Sequence, residues 1–175
     1  MALTCSRLST PIGDLLLVDD DGVPVIAEFE GCEDRVAGHL RRHHGNARPS
    51  TGPVPPAVAG AFAAYFAGDP AALDALPAAP RGTDFQVRIW DALRRIAPGH
   101  TKTYGQVASE IGRPKAPRAV GHANGQNPLA ILVPCHRLVG SDGTLTGYAG
   151  GLERKAWLLR HEAGGPGREF NRETL

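Results

Sequence analysis

The chain has 175 residues, 42% of them hydrophobic, and a net charge of +1, which suits one comfortable domain or two small ones. No apolar run reaches the length of a membrane span, and the first residues, Met1–Cys5, lack the basic start and apolar stretch of a signal peptide. The odd and widely spaced cysteines, Cys5, Cys32 and Cys135, do not form a disulfide framework, so the composition predicts a cytoplasmic protein without membrane spans.

The first part of the chain reads as a small α/β unit. Two apolar runs, Leu15–Val18 and Val25–Phe29, flank the turn cluster Asp19–Gly22, which is typical of a β-hairpin. Helical patterns follow at Glu33–His44 and at Pro56–Phe66. Nothing in this part states a function.

A stretch rich in Ala and Pro, residues 68–82, predicts an inter-domain linker. We therefore divide the chain into an N-terminal α/β domain at 1–82, a C-terminal domain at 83–162 and a polar tail at 163–175. The tail is Gly-rich and is expected to fray.

The second domain is mainly helical. Thr83 is the expected N-cap of a helix whose apolar stripe runs from Phe85 to Ile96. Two short helices, Tyr104–Ile111 and Lys115–Asn124, surround the tight turn Gly112–Pro114, as in a helix-turn-helix.

Beyond this pair, the apolar run 129–133 predicts a short buried strand that leads into Pro134–Arg137. A Gly-rich loop at 140–151 and a last helix at Leu152–Glu162 follow. The predicted fold class is α+β, with a hairpin-containing sheet and helices first and a helical domain second.

The charge is divided unevenly between the two domains. Residues 1–82 hold six Lys and Arg against ten Asp and Glu, whereas residues 83–162 hold eleven against six. A basic second half indicates that this half meets a polyanion, although chance clustering of surface charge gives the same pattern.

The second helix of the pair lacks the long polar side chains that read bases in a major groove. It carries mostly Ala and Gly with one long cation, Arg118, which favours sequence-independent binding of DNA. The alternative is that Ala116, Ala119 and Ala123 only pack on neighbouring helices. That alternative leaves Arg118, Gly121, His122 and Gly125 for the exposed face.

Cys135 is a candidate nucleophile, although a lone Cys is more often a small buried apolar residue. A thiol reacts as the thiolate and needs a basic or cationic neighbour, and His136 and Arg137 follow directly. In extended chain the side chains of Cys135 and His136 point to opposite sides, so a bridging water or a turn would be required.

Glu162 is a candidate partner for the histidine. It lies in phase with Leu158 and Leu159 on the apolar side of the last helix, where a carboxylate wants a partner. A frayed, solvent-facing Glu is the alternative. A Cys/His zinc site is the other alternative for Cys135, but nothing nearby has the spacing of zinc ligands.

These residues resemble a known family. The string Val133–Leu138 looks like the active-site motif of the O6-alkylguanine-DNA alkyltransferases, also called methylated-DNA–protein-cysteine methyltransferases. The resemblance runs from Gly82–Gln86 to Leu159–Glu162 and includes Tyr104-Gly105, Arg118–Gly121, Asn127-Pro128 and Gly147–Gly151. Residues 1–82 resemble the family only loosely, through Ser9–Gly13 and the hairpin.

The resemblance implies a role for each site residue. Cys135 accepts the alkyl group, and His136 deprotonates it through a water held with Glu162. Tyr104 turns the nucleotide out of the duplex and helps to protonate the guanine, while Asn127 ties the recognition helix to the active-site strand. The implied DNA-binding residues are Arg118, which fills the gap left in the stack, with Tyr104, Ala119, Gly121, His122 and Gly125. The implied pocket residues are Val133, Pro134, Arg137, Tyr148 and Ala149.

By the same resemblance, the protein flips O6-alkylguanine out of double-stranded DNA, bound through the minor groove without sequence specificity. The alkyl group moves irreversibly to Cys135 in one turnover, with no cofactor. Some members of the family carry a structural zinc in the first domain, but Cys5 has no convincing set of partner ligands here, so no metal is predicted. The chain is expected to act as a monomer, and its cooperativity on DNA stays open. Pro117 and His122 depart from the small residues usual in the recognition helix.

Two rival functions remain open at this point. One is a protein that binds alkylated DNA without repairing it, which leaves Cys135 unmodified. The other is a thiol hydrolase on a Cys-His-Glu arrangement, which turns over many times and ignores DNA.

Overall fold

The structure, a computed structural model, describes residues 2–45 and 47–164. All of the predicted tail beyond Gly164 lies outside these residues. The chain divides into two compact units, of which the first holds the residues up to Arg81 together with Pro128–Leu132. The second unit holds Gly82–Asn127 and the described residues from Val133 onward.

The first unit contains a four-stranded sheet with the strand order β3-β2-β1-β4. Its strands are β1 (Leu3–Leu8), β2 (Leu15–Asp20), β3 (Val23–Phe29) and β4 (Ser50–Thr51). Asp21 and Gly22 join β2 to β3, and both have positive φ, 51° and 84°. Two residues with positive φ match the right-handed twist of a hairpin, so the predicted hairpin is confirmed. Neither β1 nor β4 was predicted from the sequence.

Two helices accompany this sheet, α1 (Glu33–His43) and α2 (Pro56–Phe66), and both were predicted. Val36 of α1 packs into a core with Leu3, Val18 and Ile26 from the sheet. The proline at the start of α2 has no N–H, which costs little in the first turn of a helix.

Three histidines meet at the end of α1. The ring centroid of His39 lies 4.6 Å from that of His43 and 5.6 Å from that of His44. Both His39 and His44 are buried. We call these three residues the histidine cluster.

The stretch predicted as a linker, residues 68–82, is exposed at many positions but holds two buried leucines. Leu73 and Leu76 are buried, and the Ala79 amide donates to the Pro24 carbonyl at 3.2 Å. The two leucines stabilise these turns by removing apolar surface from water. The stretch up to Arg81 therefore belongs to the first unit.

The second unit is mainly helical, as predicted. Its helices are α3 (Asp84–Arg94), α4 (Tyr104–Glu110), α5 (Pro117–Gly125) and α6 (Leu152–Glu162). Thr83 caps α3 as expected, and Gln86 completes a reciprocal capping box. Two short parallel strands, β5 (Lys102–Thr103) and β6 (Leu138–Val139), pair beside them. No helix among the described residues has the length and apolar character to cross a bilayer.

The predicted strand at 129–133 is wrong. Only Leu129 makes a β-bridge, to Ala27, and the residues after it form a turn in which Ile131 has a φ of 69°. The Ala27 amide donates to the Pro128 carbonyl, and the Ala130 amide donates to the Ala27 carbonyl, both at 2.8 Å. All residues of the run 129–133 are buried. A fully buried segment is apolar whatever its backbone conformation, so the apolar run alone does not identify a strand.

Candidate active site

Cys135 sits at the start of a single 3-10 turn, Cys135–Arg137, and is only 7% exposed. This turn replaces the extended chain considered from the sequence, so Cys135 and His136 are not held on opposite sides of a strand. The side-chain amide of Asn127, which follows α5, donates to the Val133 carbonyl at 2.8 Å. That bond joins the end of α5 to the residues that enter the turn.

His136 and Glu162 form a fully buried pair, so Glu162 is the partner considered from the sequence and not the solvent-facing alternative. The distance from His136 Nε2 to Glu162 Oε1 is 2.8 Å. An ionised carboxylate only accepts hydrogen bonds, so we assign the proton to Nε2. His136 Nδ1 then offers a lone pair, and it has no hydrogen-bond partner within the described part of the chain.

Arg137 holds the other side of the same carboxylate. Its Nε and Nη2 donate to Glu162 Oε2 and Oε1, each at 2.9 Å, and its Nη1 donates to the Ile96 carbonyl. From the sequence, Arg137 was predicted to line the substrate pocket, and its pairing with Glu162 was not predicted. Its contact with a substrate stays a prediction, because these donors are directed at Glu162 and Ile96.

The charges of this trio follow from burial and pairing. Burial alone raises the pKa of Glu162, but the hydrogen bonds from His136 and Arg137 hold that pKa well below its usual range. Burial lowers the pKa of His136 in spite of the hydrogen bond to Glu162. We therefore assign an ionised Glu162 paired with Arg137, and a neutral imidazole able to take up a proton.

Lys155 is a buried cation that the sequence analysis missed. It projects from α6, is 0% exposed, and its Nζ donates to the Thr146 carbonyl at 2.7 Å. Burial lowers its pKa to about 8, while its interaction with Cys135 acts in the opposite direction. The sequence held a signal for it: Lys155 lies seven residues before Glu162, on the same face of the helix.

The remaining pocket residues are distributed as follows. The ring of Tyr148 meets the ring of His136 edge-on, with 6.4 Å between their centroids. Val133 and Pro134 are buried, whereas Ala149 is exposed. Their contact with a guanine stays a prediction.

The predicted DNA-binding face lies on α5. Arg118, Ala119, His122 and Gly125 are exposed, and Gly121 is half-buried. Val120 and Ala123 are buried on the opposite side, where the indole N–H of Trp90 donates to the Ala123 carbonyl at 3.0 Å. Of the three alanines considered for packing, Ala123 is buried, Ala116 is half-buried and Ala119 is exposed.

Tyr104 begins α4 and borders α5. Thr103 caps the helix through a capping box with Gln106, which fixes where Tyr104 leaves the backbone. A Cβ added to Gly121 would lie 3.6 Å from the Tyr104 ring, an ordinary van der Waals distance, so Gly121 lies beside this ring. Among the described residues, no group of three His, Cys, Asp or Glu side chains is placed to hold a metal ion.

A thiol, an imidazole with a free lone pair and a buried carboxylate are the groups that a site with a cysteine nucleophile and a general base requires. Comparisons with known proteins add the family. The family described as 6-O-methylguanine DNA methyltransferase, DNA binding domain, matches residues 84–164.

Relatives match over most of the chain. The methylated-DNA–protein-cysteine methyltransferase of Salmonella typhimurium is 49% identical over 160 residues, which is 89% of this chain and 93% of that protein. Its namesake from Shigella flexneri is 45% identical over the same shares of both chains. The chain therefore belongs to the methylated-DNA–protein-cysteine methyltransferase family, as the resemblance implied.

A solved structure agrees with this placement. The crystal structure of Mycobacterium tuberculosis OGT in complex with DNA matches with a TM-score of 0.77 and 36% identity, and the match covers 93% of this chain and 95% of that one. The predicted mixed α+β fold is thereby confirmed.

Proposed function

We propose that this protein repairs DNA by moving the alkyl group of O6-alkylguanine, mainly O6-methylguanine, onto Cys135. The observation that carries the proposal is the buried thiol beside a neutral imidazole whose tautomer Glu162 fixes. The names of its relatives, which specify methylated DNA and a protein cysteine, support the same reaction.

The protein residues remove the proton of the Cys135 thiol and stabilise the thiolate that results. His136 Nδ1 takes the thiol proton through a bridging water, and Glu162 stabilises the imidazolium that forms. The Lys155 ammonium and the Cys135 thiolate attract each other, since the interaction that favours one charged form favours the other. The thiolate attacks the alkyl carbon in line, a C–S bond forms, and the bond from carbon to O6 breaks as Tyr104 helps to protonate the guanine.

The DNA side of the reaction uses α5. A duplex buries the reacting carbon, so the base must be flipped out, at a cost of a few kcal/mol. Arg118, exposed on a helix of small residues, fills the gap from the minor groove. Affinity for undamaged duplex should therefore fall as salt rises and vary little with sequence, and a strong preference for one sequence would contradict this mode.

The product determines the stoichiometry. A thioether has no leaving group that a protein side chain can displace, so Cys135 is consumed, and the reaction needs no cofactor. We further propose that residues 83–162 carry all the groups named here, that the chain acts as a monomer, and that it is cytoplasmic.

The test is a titration in which a duplex that contains O6-methylguanine is in molar excess over the protein. One equivalent of protein should remove at most one methyl group, and peptide mass analysis should place it on the peptide containing Cys135. The Cys135→Ser variant should transfer nothing yet keep its DNA affinity. The matched control Cys5→Ser changes a half-buried thiol of the first unit and should react as the parent does.

Each rival function predicts a different outcome of that titration. A protein that only binds alkylated DNA leaves the mass of the chain unchanged. A thiol hydrolase gives many turnovers and no stable adduct. A transferred methyl group on Cys5 or Cys32, or several repair events per chain, would refute the proposal.

A further inference from the structure

Two hydrogen bonds connect α6 to the start of α4 through one exposed loop residue, Thr146. Its hydroxyl donates to the Tyr104 phenol oxygen at 3.0 Å, across 42 residues of sequence. Its carbonyl accepts from Lys155 Nζ at 2.7 Å. Thr146 is therefore held at both its main chain and its side chain, although it lies in a loop without regular structure.

The anchor at Lys155 is strong for a physical reason. An ammonium that is 0% exposed loses its hydration, so its bond to the Thr146 carbonyl replaces contacts that water would make. Releasing that carbonyl would leave a buried donor without this acceptor. Moving the loop away at Thr146 would therefore cost free energy, because Lys155 of α6 would lose this hydrogen-bond acceptor.

The hydrogen bond from Thr146 makes the Tyr104 phenol a better proton donor. A phenol has one proton to donate, and its oxygen can accept. When the Tyr104 oxygen accepts from Thr146, its own proton is left for another acceptor, and the chain of hydrogen bonds strengthens that donation. As the phenol gives up its proton, the bond from Thr146 becomes one to a developing anion, which is stronger than a neutral bond.

We propose that Thr146 is a positioning residue for the reaction, acting through Tyr104. The proposal rests on the proposed function, in which the Tyr104 proton goes to the departing guanine as the carbon–O6 bond breaks. Thr146 stabilises the phenolate oxygen left behind until solvent returns a proton to it. Lys155 keeps Thr146 within reach of Tyr104.

The experiment measures single-turnover methyl transfer from duplex O6-methylguanine in matched variants. Thr146→Val removes the hydroxyl at nearly constant shape and should slow transfer about tenfold, in keeping with the loss of one bond to a developing charge. Thr146→Ser keeps the hydroxyl and should stay within about twofold of the parent. Thr144→Val is the control, because Thr144 lies in the same loop and donates to Asp142 instead.

A double-mutant cycle with Tyr104→Phe separates positioning from loop structure. Without the phenol oxygen, Thr146→Val should cause no further slowing. An equal slowing in the Tyr104→Phe background would overturn the proposal, as would a parental rate in Thr146→Val. Absence of transfer in the parent chain would instead refute the proposed function, and the inference with it.

Discussion

The two units each bury a histidine, and the surroundings of the two rings differ. His39 of the histidine cluster is 5% exposed and His136 of the active site is 0% exposed. Burial lowers the pKa of both rings. Near His39 the further effects come from His43, His44 and two arginines and act in the same direction, so its pKa falls to about 3. Near His136, Glu162 opposes the effect of burial.

This difference shows that burial alone gives a histidine no catalytic task. A buried ring surrounded by cations stays unprotonated in the folded chain. Because the unfolded chain can bind that proton, acid lowers the stability of the fold. A ring with a carboxylate on one nitrogen keeps a defined tautomer and a lone pair on the other. The charges that support such a ring are then themselves buried, and they set the size of the mutational effects expected below.

The largest expected effect comes from removing the counter-charge of Glu162. Arg137→Met leaves a carboxylate buried without its guanidinium, which typically costs about 3–5 kcal/mol of folding stability. Urea denaturation at neutral pH measures this loss. The double variant Arg137→Met with Glu162→Gln should recover part of it, and a single variant as stable as the parent would refute our assignment of an ionised Glu162.

The matched control lies in the first unit, where Arg35 donates to the buried Glu28 at 2.9 Å. Burial raises the pKa of Glu28 in spite of Arg35, so this carboxyl can take up a proton if its partner is lost. Arg35 itself is partly exposed, with 35% of its side chain accessible. Arg35→Met should therefore cost about 1 kcal/mol or less.

A smaller effect is expected from acid at His39. Its ordinary pKa of 6.5 falls to about 3 in the folded chain, so between these values only the unfolded chain binds the proton. Stability should therefore fall as the pH drops through this range, by about 1.4 kcal/mol per pH unit, or about 2 kcal/mol by pH 5. His39→Leu should lose less stability than the parent between pH 7 and pH 5 in urea denaturation.

The control for that measurement is His100→Leu, which replaces an exposed histidine of the second unit. It should lose as much stability on acidification as the parent chain does. Equal acid sensitivity of the parent and His39→Leu would show that the histidine cluster does not couple folding to pH.

The smallest expected effect concerns Arg118, for which we propose contact with the extruded state of the DNA and not with the thiol. Arg118→Ala should slow repair of duplex O6-methylguanine by about ten- to thirtyfold, a part of the few kcal/mol that base flipping costs. Its reaction with free O6-benzylguanine, which needs no flipping, should be almost unchanged. Equal slowing on both substrates would show that Arg118 serves the base pocket or the stability of the fold, and not base flipping.

The sequence predicted those features that local signals specify. The bounds of α2 and α6 were predicted to the residue, because a proline at the helix start and an apolar phase are both written locally. The phase of α6 also made Glu162 a candidate partner for His136, with a solvent-facing Glu as the alternative, and the structure has the buried pair. The strand β1 was missed, because its short alternation gains meaning only from the strands beside it.

The roles of Arg137 and Lys155 were not predicted, although the phase of α6 places Lys155 on the same face of the helix as Glu162. A cation is buried only where partners from elsewhere in the chain satisfy it, and Arg137 finds its carboxylate 25 residues away. The turn at Ile131 was hidden for a related reason, since a buried apolar run carries no sign of its backbone shape. Local pattern thus pointed to Cys135, His136 and Glu162 as candidate site residues but not to the cations around them.

The return of Pro128–Leu132 to the first unit has a consequence for synthesis on the ribosome. The backbone of Ala27 bonds to Pro128 and Ala130, so this edge of the sheet cannot be completed until about three-quarters of the 175 residues have been made. An edge strand left without its partner is a site of aggregation. The nascent chain therefore carries an open sheet edge while α3, α4 and α5 emerge, and Cys135 follows only a few residues after the segment that closes it.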